Sequence, residues 1–134
     1  DAGRAKWVES LARGLGCEPA FVYKQRDSST GDLTVTGVNA SVTDRVVVIY
    51  DDMIRTGSSL LQAASAYLDA GATEVHAVVS HLVLPGDALD KLLGDGRITT
   101  INGTDSHPKS VDVKARGGLI ASVAPLLVSG INRS

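Results

Sequence analysis

The stretch Arg45-Val46-Val47-Val48-Ile49-Tyr50-Asp51-Asp52 constrains the fold more than any other part of the chain. Its run of β-branched residues is too short for a helix and carries no polar alternation, which predicts a central strand covered on both faces. Two acids end the strand. Beyond the loop 53–58, Leu60, Leu61, Ala64 and Leu68 recur at helical spacing, predicting a helix over 59–70 stopped by Gly71. A second apolar run, 75–79, predicts another buried strand, followed by a short helix over 88–93 and a strand over 98–101. Strands alternating with helices define an α/β fold with a Rossmann-like parallel sheet flanked by helices.

The flanking segments extend this pattern. Ala5, Val8, Leu11, Ala12 and Leu15 lie on one face of a helix over 4–15. A short strand over 20–23 leads into Lys24-Gln25-Arg26 and the polar stretch Asp27–Asp32, a loop by composition. Residues 33–38 alternate apolar and polar, as a half-exposed strand does. An apolar helix over 118–130 closes the chain, and Pro125 inside it implies a kink or a later start.

The 134 residues fit one domain spanning 1–134, with 43% hydrophobic and 21% charged residues and a formal charge of −2. No run approaches the roughly 20 apolar residues of a membrane span. Near-neutral charge and few aromatics argue against nucleic-acid binding. The single Cys17 rules out an internal disulfide, and a reducing, cytoplasmic setting is the expectation. Nothing cationic adjoins Cys17, which reads as a partly buried, inert thiol.

Ligands of open parallel sheets bind beyond the carboxyl ends of the strands. Asp51 and Asp52 stand there, where adjacent carboxylates can accept hydrogen bonds from vicinal sugar hydroxyls or hold a magnesium-bound ligand. The loop Arg55-Thr56-Gly57-Ser58-Ser59 offers backbone amides, three hydroxyls and a cation at the positive end of the next helix, a combination suited to a phosphate dianion. The bland alternative has the same hydroxyls merely capping that helix. The Gly-Lys-Ser/Thr pattern of the other common phosphate loop is absent.

A hydrophobic strand, two acids, two mostly apolar residues and a Thr-Gly loop resemble the phosphoribosyl pyrophosphate motif of type I phosphoribosyltransferases and ribose-phosphate pyrophosphokinases. Further segments resemble the second group. Asp1-Ala2-Gly3 is similar to its Asp-Ala-Gly-Gly stretch, Lys24-Gln25-Arg26 to its Lys-Arg-Arg loop, and Ser80-His81 to its Thr-His. Thr104-Asp105-Ser106-His107-Pro108 and Ser122–Leu127 match two later segments in order. The resemblance implies a type I phosphoribosyltransferase-like fold forming the C-terminal half of a two-domain enzyme, whose N-terminal domain completes the nucleotide site. It also implies transfer of a pyrophosphoryl group from ATP to the 1-hydroxyl of ribose 5-phosphate, giving phosphoribosyl pyrophosphate and AMP, with Mg2+ as cofactor and a homo-oligomeric assembly.

By position, the resemblance implies that Asp51 contacts the ribose hydroxyls, assisted by Asp52, and that Arg55, Thr56, Gly57, Ser58 and Ser59 hold the 5-phosphate. Lys24 and Arg26 are implied as the catalytic cations, and Asp1 as a magnesium ligand shared with a histidine of the N-terminal domain. Three features depart from the family pattern, one of them Arg4 in place of the second Gly of the Asp-Ala-Gly-Gly stretch, where it crowds the metal site implied at Asp1. Arg55 stands where an acid is usual, and Gly57-Ser58-Ser59 replaces Gly-Gly-Thr. Without the N-terminal domain, the expectation is ligand binding without pyrophosphokinase turnover. A non-catalytic sugar-phosphate-binding relative and a phosphoribosyltransferase using phosphoribosyl pyrophosphate are the competing readings. Of the histidines, His76 reads as a structural imidazole inside a strand, His81 as a candidate for the wall of the site, and His107 as a loop residue.

Overall fold

A computed structural model describes residues 2–26 and 33–133, with the side chains of 2–4, 24–26 and 33–36 outside the description. Helix α1 (Ala2–Leu15) precedes a hairpin of β1 (Val22–Arg26) and β2 (Leu33–Val38). Then follow β3 (Val46–Ile54), α2 (Ser58–Asp69), β4 (Glu74–Leu82), α3 (Ala88–Asp95), β5 (Thr100–Thr104), α4 (Ser110–Ala115), β6 (Ile120–Ala121) and α5 (Ala124–Ile131). The hairpin is antiparallel, whereas β3-β4-β5-β6 form a parallel sheet in chain order.

That sequential order decides where the core lies. Right-handed crossovers that always step in the same direction place α2, α3 and α4 on one face of the sheet. Accordingly Val75, Ala77 and Val79 of β4, Ile101 of β5, Leu60 and Ala64 of α2, Leu89 and Leu92 of α3 and Val113 of α4 make one buried cluster. On the opposite face Trp7 of α1 stacks on Tyr50, ring centroids 4.6 Å apart, while Val46 and Val48 stay 59% and 58% exposed. The expectation of a central strand covered on both faces is therefore corrected. Among the described residues β3 is the outer strand of the parallel sheet, with the crossover helices packed on one side of it and Trp7 of α1 against Tyr50 on the other.

Other boundaries shift for local reasons. β3 runs on through the acids to Ile54, because its pairing with β4 continues to Ile54↔Leu82. The segment 118–130 is not one helix: β6 pairs with β5 first, and α5 starts late enough to place Pro125 in its first turn, where no amide is needed. The first hairpin strand lies two residues later than 20–23, and β5 two residues later than 98–101. Cys17 is exposed.

Candidate functional site

The loop after β3 is held from beneath. Ile54 and Leu60, on either side of it, are buried, and Gly57 between them adopts φ +82° against the α3 side chain of Leu92. A Cβ on Gly57 would stand 2.4 Å from Leu92 Cδ2, so glycine is required here by both backbone conformation and space. The Ile54 carbonyl accepts the amides of Val83 and Leu84 (3.2 Å each), stitching the exit of β3 to the exit of β4.

Gly57 is the N-cap of α2 and no side chain caps that helix. Thr56, Ser58 and Ser59 are exposed, with Thr56 Oγ1 and Ser58 Oγ 3.4 Å apart. The capping role that would have made these hydroxyls merely structural is thus not taken up. Arg55 is exposed beside them and makes no ion pair among the described residues. Hydroxyls, a guanidinium and the positive end of a helix share one short loop, an arrangement that attracts anions.

Asp51 and Asp52 lie within β3, three and two residues before its end. Each carboxylate accepts the next amide, Asp52 N at 2.9 Å and Met53 N at 3.0 Å, which fixes its orientation. No group of three or more His, Cys, Asp or Glu able to hold a metal occurs among the described residues. The hard oxygens of the two acids suit magnesium that arrives with ligand phosphates, since that ion typically uses one or two carboxylates and retains other oxygen ligands.

The neighbouring strand ends are joined by hydroxyls from two segments that resemble the family, Ser80-His81 and Thr104–Pro108, whose contact with each other the sequence alone does not show. Tyr50 Oη lies 2.8 Å from Ser80 Oγ, while Thr104 Oγ1 and Ser106 Oγ converge on the Ser80 carbonyl at 2.6 and 3.0 Å. His81 Nδ1 is 2.8 Å from Ser106 Oγ, so His81 does stand at the carboxyl edge, held by a partner on the next strand's loop. Asp105 faces away from this group: it accepts the Val123 amide at 2.8 Å, and that bond, aided by Ser122, holds its carboxyl below the usual carboxylate range. His76 bonds Thr100 (2.8 Å) and Glu74 (3.0 Å), a satisfied structural imidazole. His107 Nδ1 accepts the Lys109 amide and serves its loop.

Lys24 and Arg26 lie on β1 opposite Val35 and Leu33. Their side chains, the polar stretch 27–32 and Asp1 lie outside the described residues. The root of the hairpin is tied to the helix that carries the loop: Tyr67 Oη of α2 donates to the Ala20 carbonyl at 3.2 Å, and the Phe21 amide bonds Asn39 Oδ1 at 2.7 Å. Burial pushes the Tyr67 phenol up. A cavity of about 230 Å3 elsewhere, between α3 and α4, is lined by charges that already pair, Arg116 with Asp90 and Lys109 with Asp112.

Fold and site together define a parallel α/β domain whose polar loop follows an acid-bearing strand and opens a helix. Residues 3–114 match the phosphoribosyl transferase domain. Over 98% of its length the chain is 36% identical to a ribose-phosphate pyrophosphokinase of Bifidobacterium longum, of which it covers 39%. It is 33% identical to one of Agrobacterium fabrum over its full length, covering 43% of that protein. The crystal structure of phosphoribosylpyrophosphate synthetase from Mycobacterium smegmatis superimposes with a TM-score of 0.78 at 30% identity, over 97% of this chain and 41% of that one. The chain belongs to the phosphoribosyl transferase domain family, and it spans about two fifths of the length of the pyrophosphokinases it matches. Among the described residues no helix is long and apolar enough to cross a membrane.

Proposed function

We propose that this chain binds ribose 5-phosphate as part of a ribose-phosphate pyrophosphokinase, in which a further, nucleotide-binding domain supplies the ATP side of the reaction. The observation that carries the reading is the uncapped start of α2. Exposed Arg55, Thr56, Ser58 and Ser59 surround it, immediately past an acid-bearing strand. In this reading the loop holds the 5-phosphate, while the carboxylates of Asp51 and Asp52 accept hydrogen bonds from the sugar hydroxyls and orient the 1-hydroxyl.

The oxygen of that hydroxyl forms the new bond to the β-phosphorus of ATP, and the bridging bond to the α-phosphate breaks, so AMP leaves and phosphoribosyl pyrophosphate results. Magnesium, when bound, would supply charge neutralisation on the transferring phosphates, with Asp1 as one of its protein ligands. Lys24 and Arg26 act on the same developing charge. Self-association and a cytoplasmic setting belong to the same reading.

Isothermal titration of ribose 5-phosphate into the 134-residue protein tests it. The wild type binds, and Asp51→Asn weakens binding about tenfold, as expected for loss of one charged hydrogen-bond acceptor worth about 1.5 kcal/mol. A wild type that takes up no ribose 5-phosphate overturns the reading. Brisk AMP formation from ATP, magnesium and ribose 5-phosphate by these residues alone removes the need for a further domain.

A further inference from the structure

Three oxygens crowd together where β4 and β5 end. Thr104 Oγ1 stands 2.6 Å and Ser106 Oγ 3.0 Å from the Ser80 carbonyl oxygen, and the two hydroxyl oxygens are 2.9 Å from each other. Oxygens this close repel unless protons lie between them, and the triangle has two to supply, one from each hydroxyl. Both protons therefore stay inside it, directed at the Ser80 carbonyl, whose two lone pairs they fill. The Ser106 amide adds a third proton from outside, donated to Thr104 Oγ1 at 3.2 Å.

His81 Nδ1 lies 2.8 Å from Ser106 Oγ. With the single hydroxyl proton of Ser106 committed to the carbonyl, the proton of this bond comes from the ring. His81 is thereby fixed as its Nδ1–H tautomer, and Nε2 carries a lone pair. The side chain is exposed, and Nε2 makes no hydrogen bond among the described residues. His76 differs in this respect, since Thr100 and Glu74 occupy both of its nitrogens. The register pairs Asp51 with Val79 and Met53 with His81, so Asp51 and His81 belong to the same face of neighbouring strands at their carboxyl ends.

We propose that His81 Nε2 accepts a hydrogen bond from a hydroxyl of the bound sugar phosphate, and that Ser106 is the positioning residue that holds the ring in the accepting form. The inference rests on the ribose 5-phosphate reading and extends it to a residue on a second strand. A lone pair repels phosphate oxygens and attracts a hydroxyl proton, so the carboxyl edge is divided by chemistry. Donors cluster in the loop Arg55–Ser59, on the side of the phosphate; acceptors, His81 and the carboxylate of Asp51, stand on the side of the hydroxyls. Such a division favours a phosphate ester bearing several hydroxyls over phosphate itself.

Two measurements on the full chain test this. Long-range proton–nitrogen correlation spectra of the ligand-free protein report the tautomer of the neutral His81 ring: Nδ1–H in the wild type, a shift toward Nε2–H in Ser106→Ala, and a return to Nδ1–H in Ser106→Thr. Calorimetric titration then reads the ligand. His81→Asn keeps an amide donor for Ser106 but has no atom in the place of Nε2, so it weakens ribose 5-phosphate binding about fivefold, the loss of one hydrogen bond, at an unchanged thermal midpoint. A merely structural His81 would instead tolerate this change. An Nε2–H ring in the wild type overturns the proposal, as does wild-type affinity in His81→Asn. An equal loss of affinity for inorganic phosphate overturns it too, by placing phosphate against the ring. A wild type that takes up no ribose 5-phosphate removes the ligand from both readings, while the spectra, recorded without ligand, still decide the role of Ser106.

Discussion

The two faces of the parallel sheet are built from the same kinds of residue and have opposite fates. On one, Val75, Ala77 and Val79 are fully buried under three helices; on the other, Val46 and Val48 remain more than half exposed. Side-chain type does not separate these valines. The difference lies in the strand order, which sends each crossover to the same side, so topology distributes burial that composition alone assigns evenly.

The sharpest way to break this comparison is to empty both faces. Leu92→Ala removes a fully buried α3 side chain and costs about 2–5 kcal/mol in urea unfolding. Val48→Ala, on the exposed face, costs less than about 0.5 kcal/mol. Equal costs would mean that the outer face is packed after all.

A smaller effect joins the covered face to the site. Gly57→Ala forces a Cβ into Leu92 at a left-handed φ, destabilising the fold by more than about 1 kcal/mol and weakening ribose 5-phosphate binding. Combined with Leu92→Ala, the steric part of that penalty is relieved, and the double mutant is more stable than the two single costs predict. Strict additivity would show that the loop does not rest on Leu92.

The smallest effect lies at the start of α5. The Asp105 carboxyl is held below its ordinary pKa chiefly by the Val123 amide, so its contribution is present above the unfolded carboxylate value near 4 and fades as pH falls through the folded one. Asp105→Asn keeps an acceptor but removes the charge. The stability gap between wild type and variant should therefore narrow progressively as pH falls from neutral to below the unfolded carboxylate value near 4. A gap of constant size over that range would remove Asp105 as a pH-dependent anchor of α5.

Periodicity made much of this architecture legible. Residues 33–38 form the strand that their alternation predicts, and α2 lies within one residue of the span set by Leu60, Leu61, Ala64 and Leu68. α4 was not legible because six residues with Val113 inward give too short a period to detect, and β6 because two residues give none. The downstream limit of β5 was hidden by Asn102 and Gly103, which pair in the sheet without being apolar; Gly103 is needed because a Cβ there would meet the Val79 carbonyl at 2.3 Å.

The candidate site was legible where it is contiguous. Arg55 through Ser59 fall on one loop, with Asp51 and Asp52 just before it on β3. The Ser80, Thr104 and Ser106 hydroxyl group and the seat of Gly57 on Leu92 were not, because both depend on residues about 25 or more positions apart in the chain. Serine and threonine at consecutive strand ends were the available signal for the first. For the second the sequence offers the glycine alone.

The hydrogen bond from Tyr67 to the Ala20 carbonyl spans 47 residues of chain and makes α2 a shared strut. At its amino end sits the loop of Arg55 to Ser59; roughly 14 Å along its axis Tyr67 grips the root of the hairpin that bears Lys24 and Arg26. A local opening of α2 therefore releases both ends in one event, whereas fraying of the hairpin beyond its root leaves the loop in place. The two halves of the candidate site share a cooperative unit but differ in how they can fail.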